Sequence, residues 1–563
     1  MQKDKIIGKV IATESKPTTI DNFYFWTKQD LILNPFDVVK IEHINNSVSY
    51  GVIEEISHIT DSVSFLSNFI SSDFGDINCS CNTYRVGMNY VYGKVIYNTE
   101  NIYLPLQNDA KVSLANKEEI IRALGLLKED SEYGLVCGYL NMYQGMNDCA
   151  PVRIPVPMDT RFLIGPEGAH LNISGISGLA SKTSYAMFLL KALQDKMMAA
   201  KDDNKDDVAY ILFNVKGTDL LSIDKEPDKI SKGVGSYSDI VDEYKKLGLS
   251  PTPFKQVQYF YPYSDKNQNN TYANKNNILQ EQMDEKKAFY YKFPCNQDNK
   301  ENLDLMFSNI DDSNQTMDAI LNFIATDHSF QHENSWEEFI KKIDNKQQAG
   351  SADSKKEITV QSWRKFARII KSNINGKKIF DDVKMNSNEI ELLDKINEIK
   401  PNDVYVIDIA RLDENMQNFV FGNVIRYIYN LKLGGDEGCN PPSKIIIFMD
   451  ELNKYASSDI PKNSPILRQI LDIAERGRSL GIILFAAEQF RSAIHDRVTG
   501  NSSASAYGRT NAIEIEKKDY RYIPQVYKNI MTRLEQGEYI IHNPAFRTML
   551  KIKFPKPIYK ESK

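Results

Sequence analysis

The sequence predicts an α/β protein made of a small N-terminal β-barrel and a parallel sheet covered by helices, with a helical insertion in the second part. Residues 5–114 read as short β-type runs with no helical pattern of about ten residues between them. After Pro151 strands and helices alternate, as a parallel sheet requires. Between residues 262 and 375 a polar stretch rich in Asn, Lys and Gln leads into helical periodicity.

A chain of 563 residues is too long for one hydrophobic core, so several folding units are expected. With 42% hydrophobic and 26% charged residues it is neither a disordered chain nor a disulfide miniprotein. Its 69 Lys+Arg against 75 Asp+Glu give a net charge of -6. No global basic field would draw it onto nucleic acid, so any such contact has to be local, as in a lined channel. The cysteines Cys79, Cys81, Cys137, Cys149, Cys295 and Cys439 lack the repeated C-x2-C spacing of a zinc site. His328 and His332 share a helical spacing but have no acidic or cysteine partner in register. The N-terminal Met-Gln-Lys-Asp-Lys has no apolar signal core, and no stretch reaches the roughly 20 apolar residues of a membrane span. A cytoplasmic protein without membrane association is expected.

The barrel, expected within residues 1–150, is carried by the runs Ile6–Ala12, Phe23–Thr27, Val38–Glu42, Val48–Ile56 and Tyr90–Tyr97, with residues 57–84 as an insertion. The sheet region is expected over 151–261 and 376–563. Its strands are Leu171–Ile173, Val208–Phe213, Val257–Tyr261, Val404–Ile409, Lys444–Met449 and Ile482–Ala487. Continuous apolar runs such as Ile445–Met449 suit strands buried on both faces. In the insertion, 262–375, helical periodicity marks Met317–Thr326, Trp336–Ile343 and Val360–Ile370. Ser464-Pro465 is an N-cap and first helical residue, and Gly481 a stop, around one further helix.

Three segments carry chemistry. Strand Leu171–Ile173 runs through Gly175, Gly178, Ser181, Lys182, Thr183 and Ser184 into an apolar helix, the setting of a phosphate-binding loop. Glycines let backbone N–H groups turn to phosphate oxygens, Lys182 reaches the β- and γ-phosphates, and Thr183 ligates Mg2+. The spelling is G-x2-G-x3-K-T, longer from Gly175 to Lys182 than the usual G-x4-G-K-[ST], with Ser181 in a glycine's place. The second segment is the strand Lys444–Met449 ending in Asp450 and Glu451. Asp450 is placed to hold Mg2+, and Glu451 to orient and deprotonate an attacking water. In the third, a strand ends at Glu488-Gln489, where Gln489 is a candidate γ-phosphate sensor. Arg476, Arg478 and Arg509 are candidates for a charge-neutralising finger given to a neighbouring subunit. Together these motifs predict an ATPase using ATP and Mg2+.

In the order of these parts the chain resembles the HerA family of hexameric ATPases, relatives of the FtsK translocases. The resemblance runs from the barrel through His170-Leu-Asn-Ile-Ser-Gly175, Asn214–Asp219, Val404–Ala410 and Ala474–Gly481 to the tail Gly537–Pro555. It departs from the family in the longer loop, in Asn214 where an acid is usual, and in the insertion. The resemblance implies a RecA-like P-loop core with a HAS-barrel-like domain and C-terminal closing strands. It also implies a homohexamer moving double-stranded DNA through its pore, with the barrels docking an effector: a nuclease or a sirtuin-like, NAD-consuming enzyme, as in antiphage versions. Arg478 is the preferred finger because the family-like Gly-Arg step precedes the strand that carries Gln489. The alternative is a nucleotide-binding hexameric scaffold with weak or no hydrolysis that assembles and regulates the effector.

Overall fold

The computed structural model describes residues 5–71, 73–75, 86–128, 131–146, 149–176, 182–200, 207–227, 237–264, 270–274, 277–308, 316–348, 358–383, 386–434 and 440–561. Gly178, Ser181, Cys79, Cys81 and Cys439 lie outside the described residues, as do parts of the 262–375 segment. The chain divides into two compact units.

The first unit takes in residues 1–159, 523–533 and 538–554. Its strands β1 (Ile6–Ile11), β2 (Asn22–Thr27), β3 (Val38–Glu42), β4 (Val48–Thr60), β5 (Gly87–Asn98) and β6 (Lys111–Leu114) close an antiparallel barrel in the order β1-β2-β5-β4-β3-β6. Val10, Phe23, Phe25, Val39, Ile41, Ile53, Val91 and Val112 fill it, all fully buried. Gly51 and Gly93 make room for one of them: a Cβ on either would come within 2.3 Å and 2.6 Å of the Phe23 ring. The ribbon β4–β5 runs four residues past the expected Ile56, to Thr60. Beyond the barrel, β7 (Gly134–Met142) pairs antiparallel with β8 (Val152–Asp159).

The second unit takes in 160–522, 534–537 and 555–563. It contains β9 (Leu171–Ser174), β10 (Val208–Asn214), β11 (Val257–Pro262), β12 (Ala288–Lys292), β13 (Glu389–Glu391), β14 (Val404–Asp408), β15 (Lys444–Asp450), β16 (Ile482–Glu488) and β17 (Ala504–Tyr507). They lie in the order β13-β12-β11-β14-β10-β15-β16-β9-β17, and neighbours pair in parallel throughout. β10 and β16 are buried at every residue, which explains their unbroken apolar runs. The expected α/β fold with a separate small barrel is thus the observed one. Several strands are absent from the sequence-based expectation, among them β12, β13 and β17 of this sheet. Ala288-Phe-Tyr-Tyr-Lys292 is a short aromatic run in polar surroundings, and it extends the sheet as β12, with β13 beyond it.

The closing strands β18 (Glu538–His542) and β19 (Leu550–Lys553), expected in the ATPase core, group with the first unit, because β19 pairs antiparallel with β7 through Lys553 and Tyr139.

Helix α1 (Lys182–Ala199) follows β9; α2 (Thr316–Thr326), α3 (Trp336–Lys346) and α4 (Val360–Ile374) pack the insertion around Phe330 and Trp363, whose rings stack 6.2 Å apart. α5 (Glu414–Lys432) and α6 (Pro465–Leu480) complete the main core of the unit. In α6, Ser464 Oγ accepts from the Leu467 N–H, and Gly481 ends the helix at φ 72°. A Cβ on Gly481 would lie 2.0 Å from the Ser443 carbonyl oxygen, so only glycine fits that turn. No helix among the described residues is long and apolar enough to cross a membrane.

Candidate nucleotide-binding site

In a parallel sheet the loops at the carboxyl ends of the strands share one edge, and Thr183, Asp450 and Glu451 are placed there. β9 and β15 are separated by β16 alone, and the register sets Asp450 beside Ala487 and Glu488 beside Ser174. The residues just past β9 and Asp450 at the end of β15 therefore lie at the same edge of the sheet, on either side of β16.

Gly175, just past β9, has φ 156°, and a Cβ there would come within 3.1 Å of the Gly508 Cα. The Ile176 N–H donates to the Arg509 carbonyl at 2.8 Å, so the start of the loop is tied to the chain after β17. Lys182 opens α1 and is buried, an unusual place for an ammonium group without a function. Thr183 Oγ1 donates to Asp450 Oδ2 at 2.9 Å, joining residues 267 apart in the chain. Ser184 Oγ donates to Glu561 Oε1 at 2.5 Å.

Glu451 sits at φ 57°, in the left-handed region that a glutamate enters only when held there. Its N–H donates to Asp450 Oδ1 at 2.9 Å, and its Oε2 pairs with Lys454 Nζ at 2.7 Å. Burial pushes the Glu451 carboxyl up, but the Lys454 hydrogen bond and the charges of Lys454, Lys216 and Lys182 outweigh it, and the group is held below the ordinary range. Glu451 is therefore a carboxylate at neutral pH, as a base for water must be.

Glu488, which the sequence reading passed over for Gln489, is the last residue of β16 and is fully buried. Neither of its oxygens has a hydrogen-bond partner among the described residues, nor has the nearby Asn172 Nδ2. Burial lifts its carboxyl to about 8, against the pull of Arg491, Asn172 and Lys182 and with a push from Asp450. Arg491, itself buried, donates from Nη1 to Asn172 Oδ1 at 2.7 Å. Gln489 lies one residue past the strand and is exposed. A signal for Glu488 was available: it directly follows the apolar run Ile482–Ala487, as Asp450 follows Ile445–Met449.

Of the candidate fingers, Arg476 and Arg478 are exposed on α6, and Arg478 Nη1 donates to the Glu167 carbonyl at 3.1 Å. Arg509 is half-buried, with its backbone on the loop start of its own chain. Asn214, where the family has an acid, holds the buried Asp408: its Nδ2 donates to Asp408 Oδ1 at 2.8 Å, and Thr271 Oγ1 donates to Oδ2 at 2.5 Å.

Thr183 and Asp450 are hard oxygen donors already in contact, the chemistry that Mg2+ selects. The residues fit the ion. Parallel α/β sheet, buried lysine at a helix start, hydroxyl–carboxylate pair and flanking glutamate together describe a candidate site of the P-loop nucleotide-binding class.

No protein-family profile matches the chain, and no curated protein matches it. Among solved structures it is similar to the bacterial conjugative coupling protein TrwBdeltaN70 in its unbound monoclinic form, with 12% identity and a TM-score of 0.45 over 80% of this chain and 95% of that one. It is also similar to plasmid coupling protein TrwB in complex with ADP and Mg2+, with 12% identity and a TM-score of 0.41 over 72% and 90%. A third, EssC (ATPases 2 and 3) from Geobacillus thermodenitrificans, has 12% identity and a TM-score of 0.28 over 77% and 47%.

Proposed function

We propose that this chain is a HerA-like ATPase that binds ATP with Mg2+ at the carboxyl edge of its parallel sheet and hydrolyses it to move double-stranded DNA or to activate a partner effector. The observation that carries the reading is the Thr183–Asp450 hydrogen bond beside the buried Lys182. In this reading Lys182 neutralises the β- and γ-phosphates, and Thr183 and Asp450 hold the ion. The bound Mg2+ supplies charge stabilisation on the phosphate oxygens. Glu451 takes the proton of the attacking water, and Gln489 or its neighbour Glu488 senses the γ-phosphate. The core comprises residues 151–261 and 376–563. Copies assemble as a homohexamer in the cytoplasm, with Arg478, Arg476 or Arg509 reaching a neighbour's site. The barrel within 1–150 docks an effector, a nuclease or a NAD-consuming enzyme, in antiphage defence.

A second reading, a nucleotide-binding scaffold with slow or no hydrolysis, is favoured by one observation. Glu451 Oε2 is engaged by Lys454, which holds the carboxyl below the ordinary range and makes it a weaker base. Steady-state phosphate release from ATP, with and without double-stranded DNA, separates the two. A DNA-stimulated rate supports the motor. Tight ATP binding without turnover supports the scaffold.

A further inference from the structure

The segment after β19 returns to the second unit and ends at the nucleotide site. Ile558 and Tyr559 are buried, the Tyr559 ring lies 6.0 Å from that of Phe254, and the Lys560 N–H donates to the Lys225 carbonyl at 2.8 Å. These contacts fix the chain just before Glu561 and deliver this exposed residue to Ser184, whose own side chain is buried. Ser184 lies in the first turn of α1, directly after Lys182 and Thr183. There the helix N-terminus favours an anion, and in the P-loop reading that anion is a nucleotide phosphate. In this structure the anion is the carboxylate of Glu561. Its charge also reaches across the site: Asp219, raised first by desolvation and next by Asp450, is raised further by Glu561. Glu488, fully buried at the same edge with neither carboxyl oxygen hydrogen-bonded by geometry among the described residues, is independent evidence that this edge of the sheet is built to receive a ligand.

We infer that Glu561 is part of the nucleotide site as a built-in competitor, holding on Ser184 the anion position that a nucleotide phosphate takes, so that it sets nucleotide affinity. The inference rests on the P-loop reading above. A nucleotide entering the site displaces the carboxylate and meets its repulsion; without that charge, binding is tighter.

The test is a fluorescence titration of the full chain and its Glu561→Gln variant with N-methylanthraniloyl-ADP and Mg2+, at low salt and at about 0.5 M salt. Glu561 is exposed, so the variant keeps the fold, which circular dichroism verifies. At low salt the variant binds roughly fivefold tighter, the scale of one exposed charge interaction. The advantage shrinks at high salt, because exposed charges are screened. A gain that persists undiminished at high salt overturns electrostatic competition. If the parent binds and the variant binds no more tightly, this inference falls and the P-loop reading stands. If neither binds, the P-loop reading falls and takes the inference with it.

Discussion

Thr183 and Asp450, 267 residues apart in sequence, are joined by a 2.9 Å hydrogen bond from Thr183 Oγ1 to Asp450 Oδ2. The contact links the start of α1 to the end of β15, and in the proposed reading these two side chains would hold Mg2+. Thr183→Ala should leave binding of metal-free nucleotide nearly unchanged. It should weaken the Mg2+-dependent part at least about tenfold, the cost of losing even an outer partner of a metal. Nucleotide titrations with and without EDTA check this.

Glu451→Gln should retain ATP binding and slow hydrolysis by about 10²-fold or more, the usual contribution of a general base. Single-turnover phosphate release beside equilibrium binding makes the measurement. Unchanged turnover would move the base to another residue.

Stability should fall as the pH rises from mildly acid to mildly alkaline. Glu488 is lifted from its ordinary 4.5 to about 8, so the folded chain keeps a proton that the unfolded chain releases between those values. Across that window the group costs up to about 1.4 kcal/mol of stability per pH unit. Asp408, lifted by burial from 3.8 to about 6, acts in the same direction at lower pH. His170, lowered by burial from 6.5 to about 4, acts in the opposite direction below its ordinary value, so thermal melts from pH 6.5 to 8 should show the decline, and Glu488→Gln should flatten it. A variant with the parent's slope would contradict the assignment.

If Arg478 acts across a subunit interface, Arg478→Ala and Lys182→Ala proteins should each lack ATPase activity and recover part of it when mixed. A subunit without the finger keeps an intact loop, and its neighbour keeps an intact finger. The present contact of Arg478 with the Glu167 carbonyl has to break for the arginine to reach a neighbour. No recovery from verified mixed assemblies would favour a role within its own chain.

Much of this architecture was readable because it is written in local pattern. Ile445–Met449 and Ile482–Ala487 are apolar at every position, which only a strand buried on both faces requires. Ser464-Pro465 and Gly481 bracket α6 through capping chemistry that acts within a turn. What escaped was set by tertiary contact. β12 and β13 are five and three residues long and take their identity from pairing, β12 with β11 and β13 with β12. β18 and β19 were legible as strands, but their pairing edge was not, since strand pattern does not name the partner. Glu488 ends an apolar run as Asp450 does, which marks it as a strand-end acid, but its full burial beside Ser174 is set by the register of the sheet. The Ser184–Glu561 contact spans 377 residues and leaves no local trace.

The central claim is that the buried Lys182 at the start of α1 holds a nucleotide's phosphates, and calorimetric titration of ATP with Mg2+ into the full chain and into Lys182→Ala tests it most directly. The account predicts saturable binding by the parent at one site per chain and loss of detectable binding in the variant, with both proteins melting alike. Equal ATP affinity in the two proteins would contradict it.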